Sequence, residues 1–335
     1  MEAGESFVVS YHAAKGEYAF TADFHGSSVS QSLAIPSANA GRYVYSSSTR
    51  FPTRTYNSTN YWVTPLFTPS EDDGDSVGEV PSPVTAPDEP SSSVKPGPSN
   101  TGVPAGTVLS PYTGPKTITT AGTVIDSKDV SGALVIRAKN VVIRNSKIHD
   151  DPDAIAGIYV DGSGSATITD SEIYNFEVGI TYSNWTAIRV NIHDMTADGM
   201  KISSNVRLQD SWVHGPKPSS DAHWDGGQVQ NGVTNTVIQG NTIDASGSNT
   251  NSALFLCPDL GPSTNGPLTV TGNWLNGGNY TVFVLDGNNG QYFISDISVT
   301  NNRFGNSFQY GRSNVNVPIT QSGNVVDSSG AAHNL

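Results

Sequence analysis

Six residues near the middle of the chain carry side chains that can move protons or hold a cation. They are His193, Asp198, Lys201, His214, His223 and Asp225. Imidazole, carboxyl and amine groups serve as general acids and bases, and pairs of carboxylates bind Ca²⁺ through hard oxygen ligands. The chemistry open to this set is therefore proton transfer, with or without a divalent cation.

Two Asp-Gly pairs make this set more specific. The strings ADGMK and WDGGQ begin equivalent strands of a repeat. Their aspartates, Asp198 and Asp225, are therefore expected about 5 Å apart on neighbouring strands. Two carboxylates at that distance cannot both ionise at low cost unless a cation or a histidine lies between them. Three interpretations stay open: a Ca²⁺ site, an acid and base pair, and two Asp-Gly turns with solvated side chains.

The elements that must position these residues belong to an internal repeat that runs from Val141 to Asn306. VVIRNSKIHD is echoed by ATITDSEIYN, NVRLQDSWVHG, NTVIQGNTIDA and DISVTNNRFGN, among others. A period of roughly 20 to 30 residues made of short β-rich pieces is typical of a solenoid. The third position after the central apolar residue carries a hydroxyl or an amide in Ser146, Ser171, Ser211, Asn241, Asn273 and Asn302. Because rungs stack about 4.8 Å apart, this column predicts an internal ladder of hydrogen bonds.

Such a ladder is characteristic of right-handed parallel β-helices, and residues 107–335 resemble that superfamily, which includes pectate-lyase-like enzymes and phage tailspikes. The string DAHWDGGQVQNG is also similar to an H-x-DG-x-Q segment of bacterial secreted β-helix proteins. The resemblance implies an all-β chain that contains a right-handed parallel β-helix solenoid. It does not imply one activity, because the chain lacks the base arginine and the WIDH-type motif of pectate lyases and the RIK pattern of polygalacturonases.

Two segments precede the solenoid. Residues 1–69 alternate apolar and polar residues, and VVSYHA and FPTRTYNSTNYWV resemble the latter half of a small immunoglobulin-like domain of unknown function that occurs beside carbohydrate-active modules. We expect a partial β-sandwich there. Residues 70–106 are rich in Pro, Ser and acidic residues, and this shortage of apolar side chains predicts a disordered linker.

A second strand in each rung predicts the outer surface on which a ligand would lie. Aligning these strands on their glycines places Tyr159, Thr181, Lys201 and Gln228 outward in one column, with Gln230 in the next. A flat polar face with an aromatic residue suits a sugar chain, although any solenoid has a polar exterior. The predicted substrate-binding residues are Tyr159, Tyr174, Thr181, His223, Trp224, Gln228 and Gln230.

Histidines form another predicted column. His149, Tyr174, His193 and His214 occupy equivalent positions on successive rungs, and His223 lies in the inserted loop HGPKPSSDAHWDGG. These histidines are either turn residues bonded to backbone groups or part of a site shared with the lysine of ADGMK. The predicted catalytic residues are Lys201, His193, His214, Asp198 and Asp225, and the ligands of a bound Ca²⁺ would be Asp198 and Asp225.

Three tryptophans lie in or near these columns. Trp224 lies between His223 and Asp225 and is expected to stack on a sugar ring. Trp212 and Trp274 share a column, and we expect them to pack against neighbouring rungs.

Composition limits the partners. The 335 residues carry a formal net charge of −13, which argues against nucleic acid or an anionic membrane surface because both need a basic footprint. An acidic polysaccharide can still bind through a local cationic pocket or through a bound cation. The chain has no transmembrane run and starts without the basic and apolar pattern of a secretory signal, so we expect no membrane insertion. An extracellular protein or a virion tail component is expected.

The sequence leaves two functions open. The first is an enzyme that binds and cleaves a polysaccharide. As a lyase it would use Lys201 or a histidine to remove the proton next to a uronate carboxylate; as a glycoside hydrolase it would use one protonated aspartate and one charged aspartate. The second is a tailspike-type adhesin, expected as a homotrimer, that binds surface polysaccharide without cleaving it.

Overall fold

The computed structural model describes residues 20–21, 41–45, 52–56, 60–61, 94–231, 233–258, 260–261 and 266–335. Contacts divide the chain into two compact units, Met1–Thr85 and Ala86–Leu335. A 3₁₀ turn covers Asn288–Gly290. Among the described residues, no helix has the length and apolar character needed to cross a membrane.

The first unit is described at a few β residues. Phe20–Thr21 pairs antiparallel with Asn60–Tyr61. Tyr43 forms an antiparallel bridge with Arg54. Most of the predicted partial β-sandwich, and the part of the predicted linker before residue 94, lie outside the described residues.

The second unit contains a solenoid of three parallel sheets, numbered 1 to 3. Sheet 1 consists of Thr117–Ile118, Leu134–Ile136, Ile158–Val160, Val178–Thr181, Asp198–Ile202, Trp224–Val229, Thr250–Leu256, Tyr280–Val284 and Gly311–Val315. Sheet 2 consists of Val124–Asp126, Val141–Arg144, Ala166–Thr169, Trp185–Ile188, Val206–Gln209, Thr236–Gln239, Leu268–Thr271, Ile297–Thr300 and Thr320–Ser322. Sheet 3 consists of Ser110–Pro111, Lys128–Ser131, Lys147–His149, Glu172–Tyr174, Asn191–His193, Trp212–His214, Thr242–Ala245, Trp274–Gly277, Arg303–Phe304 and Val325–Val326. The predicted all-β, parallel β-helix fold is confirmed.

Each rung passes through sheets 1, 2 and 3 in turn and pairs with the same sheets of the next rung. The central apolar residues of the repeat form one column in sheet 2: Ile143, Ile168, Ala187, Leu208, Ile238, Val270 and Val299. These side chains are buried in a single apolar core. Burial of this apolar surface is the main force that holds the rungs together. The alignment of the repeats is therefore confirmed.

The predicted ladder of hydroxyl and amide groups lies at the corner between sheets 2 and 3. Asn273 Oδ1 accepts hydrogen bonds of 2.9 Å from both the backbone N–H and Nδ2 of Asn241. Asn302 receives the same two bonds from Asn273, and Asn324 extends the ladder by one rung. A residue with positive φ precedes the ladder position of successive rungs: Asn145, Asp170, Arg189, Asp210, Gly240, Gly272, Asn301 and Gly323. Asn, Asp and Gly predominate because they adopt this left-handed region at low cost.

Residues 94–106, the end of the predicted linker, are folded against the solenoid. The backbone N–H of Gly102 donates to the carbonyl of Arg189 at 2.9 Å. Asn100 Oδ1 accepts a hydrogen bond of 2.7 Å from the backbone N–H of Gly97. Such local side-chain bonds replace the ladder bonds of regular structure. The folded turn brings Lys95 to the surface of sheet 3.

Candidate functional site

The outward side chains of sheet 1 form a column along the axis of the solenoid. As predicted, Tyr159 pairs with Thr181, and Lys201 pairs with Gln228. The column continues through two phenylalanines that sequence reasoning missed, because their strands lack the glycine used for alignment; the alternation of Phe255 with buried leucines was the available signal. We call this set the sheet 1 column: Tyr159, Thr181, Lys201, Gln228, Phe255 and Phe283. Two of its members, Thr181 and Phe283, are buried by their neighbours.

Lys201 lies in the middle of the sheet 1 column and is held by two neighbours. Its ammonium donates to Asp198 Oδ2 and to Gln228 Oε1. Gln228 Oε1 also accepts a hydrogen bond of 3.0 Å from Gln230 Nε2. The Lys201 side chain is 19% exposed. These bonds fix the position of the amine while leaving part of it open to a ligand.

Asp198 and Asp225 lie side by side on neighbouring rungs, as predicted, but within strands. They are 4% and 3% exposed, respectively. Asp198 Oδ1 accepts a hydrogen bond of 2.8 Å from the backbone N–H of Asp225. Asp225 Oδ1 accepts bonds from the Ser252 hydroxyl and from Asn251 Nδ2, the latter at 3.1 Å. The interpretation as two solvated Asp-Gly turns is therefore wrong, because both carboxyl groups are buried and bonded.

The glycine after each aspartate is required by close packing between rungs. A Cβ on Gly199 would lie 2.4 Å from the carbonyl oxygen of Gly226 and 2.5 Å from Val213 Cγ1. A Cβ on Gly226 would lie 2.5 Å from the carbonyl oxygen of Ala253. The Asp-Gly pairs in the sequence therefore mark a tight approach of backbones rather than a turn.

Burial raises the pKa of both carboxyl groups. For Asp225, desolvation is the main cause and the neighbouring Asp198 adds to it, so that its pKa lies well above the usual value. Desolvation also raises the pKa of Asp198, although the Lys201 ammonium partly offsets this effect. Asp225 therefore holds a proton more strongly than Asp198, which is the hydrogen-bonded partner of the Lys201 ammonium.

The predicted histidine column is confirmed and lies on sheet 3. The rings of His149 and Tyr174 stack with centroids 5.1 Å apart, those of Tyr174 and His193 at 5.0 Å, and those of His193 and His214 at 5.3 Å. Glu172 Oε1 lies 3.2 Å from His193 Nε2. This hydrogen bond, together with an ion pair to a lysine, lowers the pKa of Glu172 to about 2.

His214 is held as a neutral ring. Its Nε2 lies 3.0 Å from Asn191 Oδ1. Burial, and then the neighbouring His193, lower the pKa of His214 to about 4. A histidine of this pKa is uncharged at neutral pH and contributes a stacking surface rather than a cation.

The histidine column and Lys201 do not form one site. His193 ends a strand of sheet 3, whereas Asp198 begins a strand of sheet 1, and residues 194–197 turn the chain between them. Within the described ranges, no hydrogen bond or ion pair joins the histidines to Asp198 or Lys201. His223 is exposed in its loop. The predicted convergence is wrong, because the two columns lie on different sheets that face different directions.

Three predicted substrate-binding residues are buried. Trp224 and Thr181 are 0% exposed, and Gln230 is 7% exposed. Trp224 packs in the core and is not available to stack on a sugar, because its strand turns the indole toward the apolar residues inside the solenoid. Trp212 and Trp274, which were expected to pack, lie half-buried on the outer face of sheet 3.

The residues present do not fit a calcium site. Ca²⁺ takes six to eight oxygen ligands. Asp198 is already bonded to the Lys201 ammonium, and Asp225 to Ser252 and Asn251. In the described part of the chain, no group of three or more His, Cys, Asp or Glu side chains is arranged to hold a metal ion. We derive no step through a metal.

Comparison with known families agrees with this architecture. A family model described as Right handed beta helix region matches residues 131–324. The chain belongs to the right-handed β-helix family. A second model, Domain of unknown function (DUF4082), matches residues 1–63 of this β-helix protein and confirms the predicted domain of unknown function there. No curated protein and no solved structure matches the chain significantly.

Proposed function

We propose that this β-helix protein binds a polysaccharide along the sheet 1 column and cleaves it as a lyase at Lys201. The observation that carries the proposal is a partly exposed ammonium in the middle of a column that has aromatic rings on both sides. At the usual strand spacing the column is roughly 24 Å long. That length suits several sugar residues in a row.

Partly exposed rings on either side of Lys201, those of Tyr159, Tyr182 and Phe255, offer surfaces for sugars. Tyr159 and Tyr182 meet edge to face with centroids 5.7 Å apart, and Phe255 and Phe283 meet in the same manner at 5.2 Å. Aromatic side chains provide apolar area, and a few polar groups among them fix the orientation of a ligand. The sheet 1 column therefore combines the two kinds of contact that a polysaccharide uses.

Lys201 is the proposed base. The raised pKa of Asp198 lets its carboxylate accept a proton from the Lys201 ammonium. The amine then removes the proton next to the uronate carboxylate. The electron pair of that C–H bond forms a carbon–carbon double bond as the glycosidic C–O bond breaks, and the new ammonium returns its proton to the leaving oxygen. The Gln228 amide beside it would donate to the substrate carboxylate.

The burial and position of Asp225 and of the histidines make them weaker catalytic candidates than Lys201. The pKa of Asp225 is raised by burial, as that of the acid of a glycoside hydrolase must be, but Asp225 is 3% exposed and bonded to Ser252 and Asn251, so a glycosidic oxygen would not reach it. The histidines lie on sheet 3, which favours Lys201 as the base. A hydrolase therefore ranks below a lyase.

One observation favours a second candidate, a tailspike-type adhesin that binds polysaccharide without cleaving it. Asp198 and Asp225 are both buried in hydrogen bonds between rungs, as the groups of a structural element would be. Such an adhesin is expected to be a homotrimer. Either candidate would meet its polysaccharide outside cells or on a virion tail, and we propose that location with the function.

A screen against uronate-containing and neutral polysaccharides tests the proposal. Absorbance of unsaturated products and release of reducing ends are recorded separately. Unsaturated products are expected; reducing ends without them would select the hydrolase, and binding without either product would select the adhesin. Native mass is measured in parallel, since a trimer is expected of the adhesin. Loss of cleavage with a chelator would contradict the metal-free lysine mechanism.

Lys201→Met and Lys128→Met form a matched pair of variants. Lys128 donates to the Ser110 hydroxyl at 2.9 Å on the first rungs, away from the sheet 1 column. Lys201→Met is expected to lose at least about 100-fold in the rate of cleavage, while Lys128→Met keeps the wild-type rate. Circular dichroism checks that both variants are folded. Full activity of a folded Lys201→Met variant would overturn the site.

A further inference from the structure

A groove on the outer face of sheet 3 is separate from the sheet 1 column. Trp274 and Thr242 line it. Trp212 lies outside the groove in the same column of the sheet, since Trp212 pairs with Thr242 and Thr242 with Trp274, and its ring stacks on His214. Both indoles are half-buried, whereas the residues next to them, Val213 and Leu275, are in the core. Two rungs separate the indoles, which corresponds to roughly 10 Å. The surface therefore presents two aromatic groups along the axis.

Polar side chains lie beside Trp274 in a bonded arrangement. Asn276 Nδ2 donates to Asp244 Oδ1 at 3.1 Å, and the backbone N–H of Ser307 donates to Asn276 Oδ1 at 3.0 Å. A Cβ on Gly305 would lie 2.1 Å from Asn276 Oδ1, so this position needs glycine for the amide to stay in place. Asp244 and Asn276 are thus fixed in orientation before any ligand binds.

These groups line a depression of about 240 Å³ with the charged residues Lys95, Arg303 and Asp327 around it. Pockets that enclose drug-sized ligands start at about 300 Å³. The depression is therefore of a size for one sugar unit of a longer chain. Lys95 comes from the folded end of the predicted linker, so that segment completes the rim of the groove.

The charges of the groove cancel. Lys95 and Arg303 are cationic, Asp244 and Asp327 are anionic, and Arg303 Nη1 lies 3.5 Å from Asp327 Oδ1. The sum of two positive and two negative charges is zero. A balanced set of donors and acceptors around an aromatic ring suits the hydroxyl groups of an uncharged sugar and offers no excess cation for a uronate.

The Thr242 hydroxyl gives an independent indication. It lies between the two tryptophans in the sheet, is buried, and has no hydrogen-bond partner among the described residues. Buried hydroxyl groups without a partner are uncommon in folded proteins. Thr242 also lines the depression, so its hydroxyl is placed to bond a sugar hydroxyl at the floor of the groove.

We propose that the groove beside Trp274 is a second carbohydrate site, which binds a neutral pyranose sugar. One face of the sugar ring stacks on the indole, and Asp244, Asn276 and Arg303 bond its hydroxyls. This site is independent of Lys201 and binds the sugar without cleaving it.

Calorimetric titration of the full chain tests the site, with neutral gluco-, galacto- and manno-oligosaccharides and with oligouronates as the probes. Trp274→Ala removes the stacking surface, and Asp244→Asn keeps the shape of the side chain while removing its charge. Phe293→Ala is the control, because Phe293 is an exposed aromatic residue outside the groove (52% exposed). Thermal melting checks the fold of each variant.

At least one neutral oligosaccharide is expected to bind wild type, Phe293→Ala and Lys201→Met equally. Trp274→Ala and Asp244→Asn are each expected to weaken that binding at least 10-fold. The proposal is overturned if no neutral oligosaccharide binds, if only oligouronates bind, or if folded Trp274→Ala and Asp244→Asn variants bind as wild type does. Loss of cleavage in Lys201→Met with retained binding would separate this site from the lyase function.

Discussion

Asp198 Oδ1 accepts a hydrogen bond of 2.8 Å from the backbone N–H of Asp225, its neighbour on the next rung. The other Asp198 oxygen is bonded to the Lys201 ammonium. Burial raises the pKa of both aspartates, but only Asp198 is hydrogen-bonded to the Lys201 ammonium, which partly offsets the effect. Two aspartates at equivalent positions of the repeat therefore differ in how strongly they hold a proton.

Asp225→Asn is expected to stabilise the fold at high pH. The pKa of Asp225 in the folded chain is raised above that of the unfolded chain, first by burial and then by Asp198. Between the pKa of the unfolded chain and the raised pKa of the folded chain, the folded state binds a proton that the unfolded state has lost. The free energy of unfolding therefore falls as pH rises through this range. Asparagine keeps the acceptor for Ser252 and Asn251 without the ionisable proton.

Calorimetric melting measures this effect at about pH 4 and about pH 8. Wild type loses stability through Asp225 at the higher pH and not at the lower one. The gain in melting temperature for Asp225→Asn should be larger at the higher pH. Asp153→Asn, at an exposed position, is the control and should show no such difference. An equal gain at both pH values would contradict the raised pKa of Asp225.

The lowered pKa values of His214 and Glu172 predict that acid destabilises the fold in two steps. The folded pKa of His214 is about 4, below the ordinary histidine value of 6.5, so the unfolded chain takes up a proton first and stability falls as pH drops from 6.5 to about 4. Glu172 is stabilised as a carboxylate, and its contribution is lost as pH falls from 4.5 through about 2.

Urea unfolding at a series of pH values separates the two steps. His214→Gln should flatten the first step and leave the second, since glutamine does not titrate. Glu172→Gln should remove the second step. If His214→Gln and wild type show parallel curves between pH 6.5 and 4, the neutral state assigned to His214 is wrong.

Asn273→Ala tests the internal ladder. The Asn273 side chain accepts from Asn241 and donates to the carbonyl of Ile238 at 2.9 Å, and it is 0% exposed. Its removal leaves several buried groups without partners, at a cost of about 3 kcal/mol or more. The midpoint of thermal unfolding should fall by roughly 10 °C. Exposed Asn334→Ala should change it little, and similar melting of both variants would argue against the ladder as a source of stability.

Gly199→Ala tests the close approach of rungs at the candidate site. The added Cβ would lie 2.4 Å from the Gly226 carbonyl oxygen. This oxygen belongs to the backbone and can move away only if the whole strand moves. We expect a loss of about 2 to 3 kcal/mol in denaturant unfolding. Gly97→Ala is the matched control, because a Cβ there meets nothing within 4 Å. Wild-type stability of Gly199→Ala would contradict the close packing of neighbouring rungs at Gly199.

The sequence by itself determined which residues are neighbours along the axis. The repeat predicted the column of Ile143 and its equivalents, the ladder through Asn273, and the pairing of Asp198 with Asp225. These relations follow from local properties, namely the alternation of side chains in a strand and the constant spacing of rungs. Counting positions within a repeat is therefore enough to find them.

Only the tertiary structure decided which way each column faces and what is buried. Trp224 lies in the core and Trp274 on the surface, and His193 lies on a different sheet from Lys201. A register shift or a corner reverses or redirects side chains without a signal that a position count can detect. The charge state of Asp225 depends in turn on this burial, because desolvation by residues of neighbouring rungs sets its pKa.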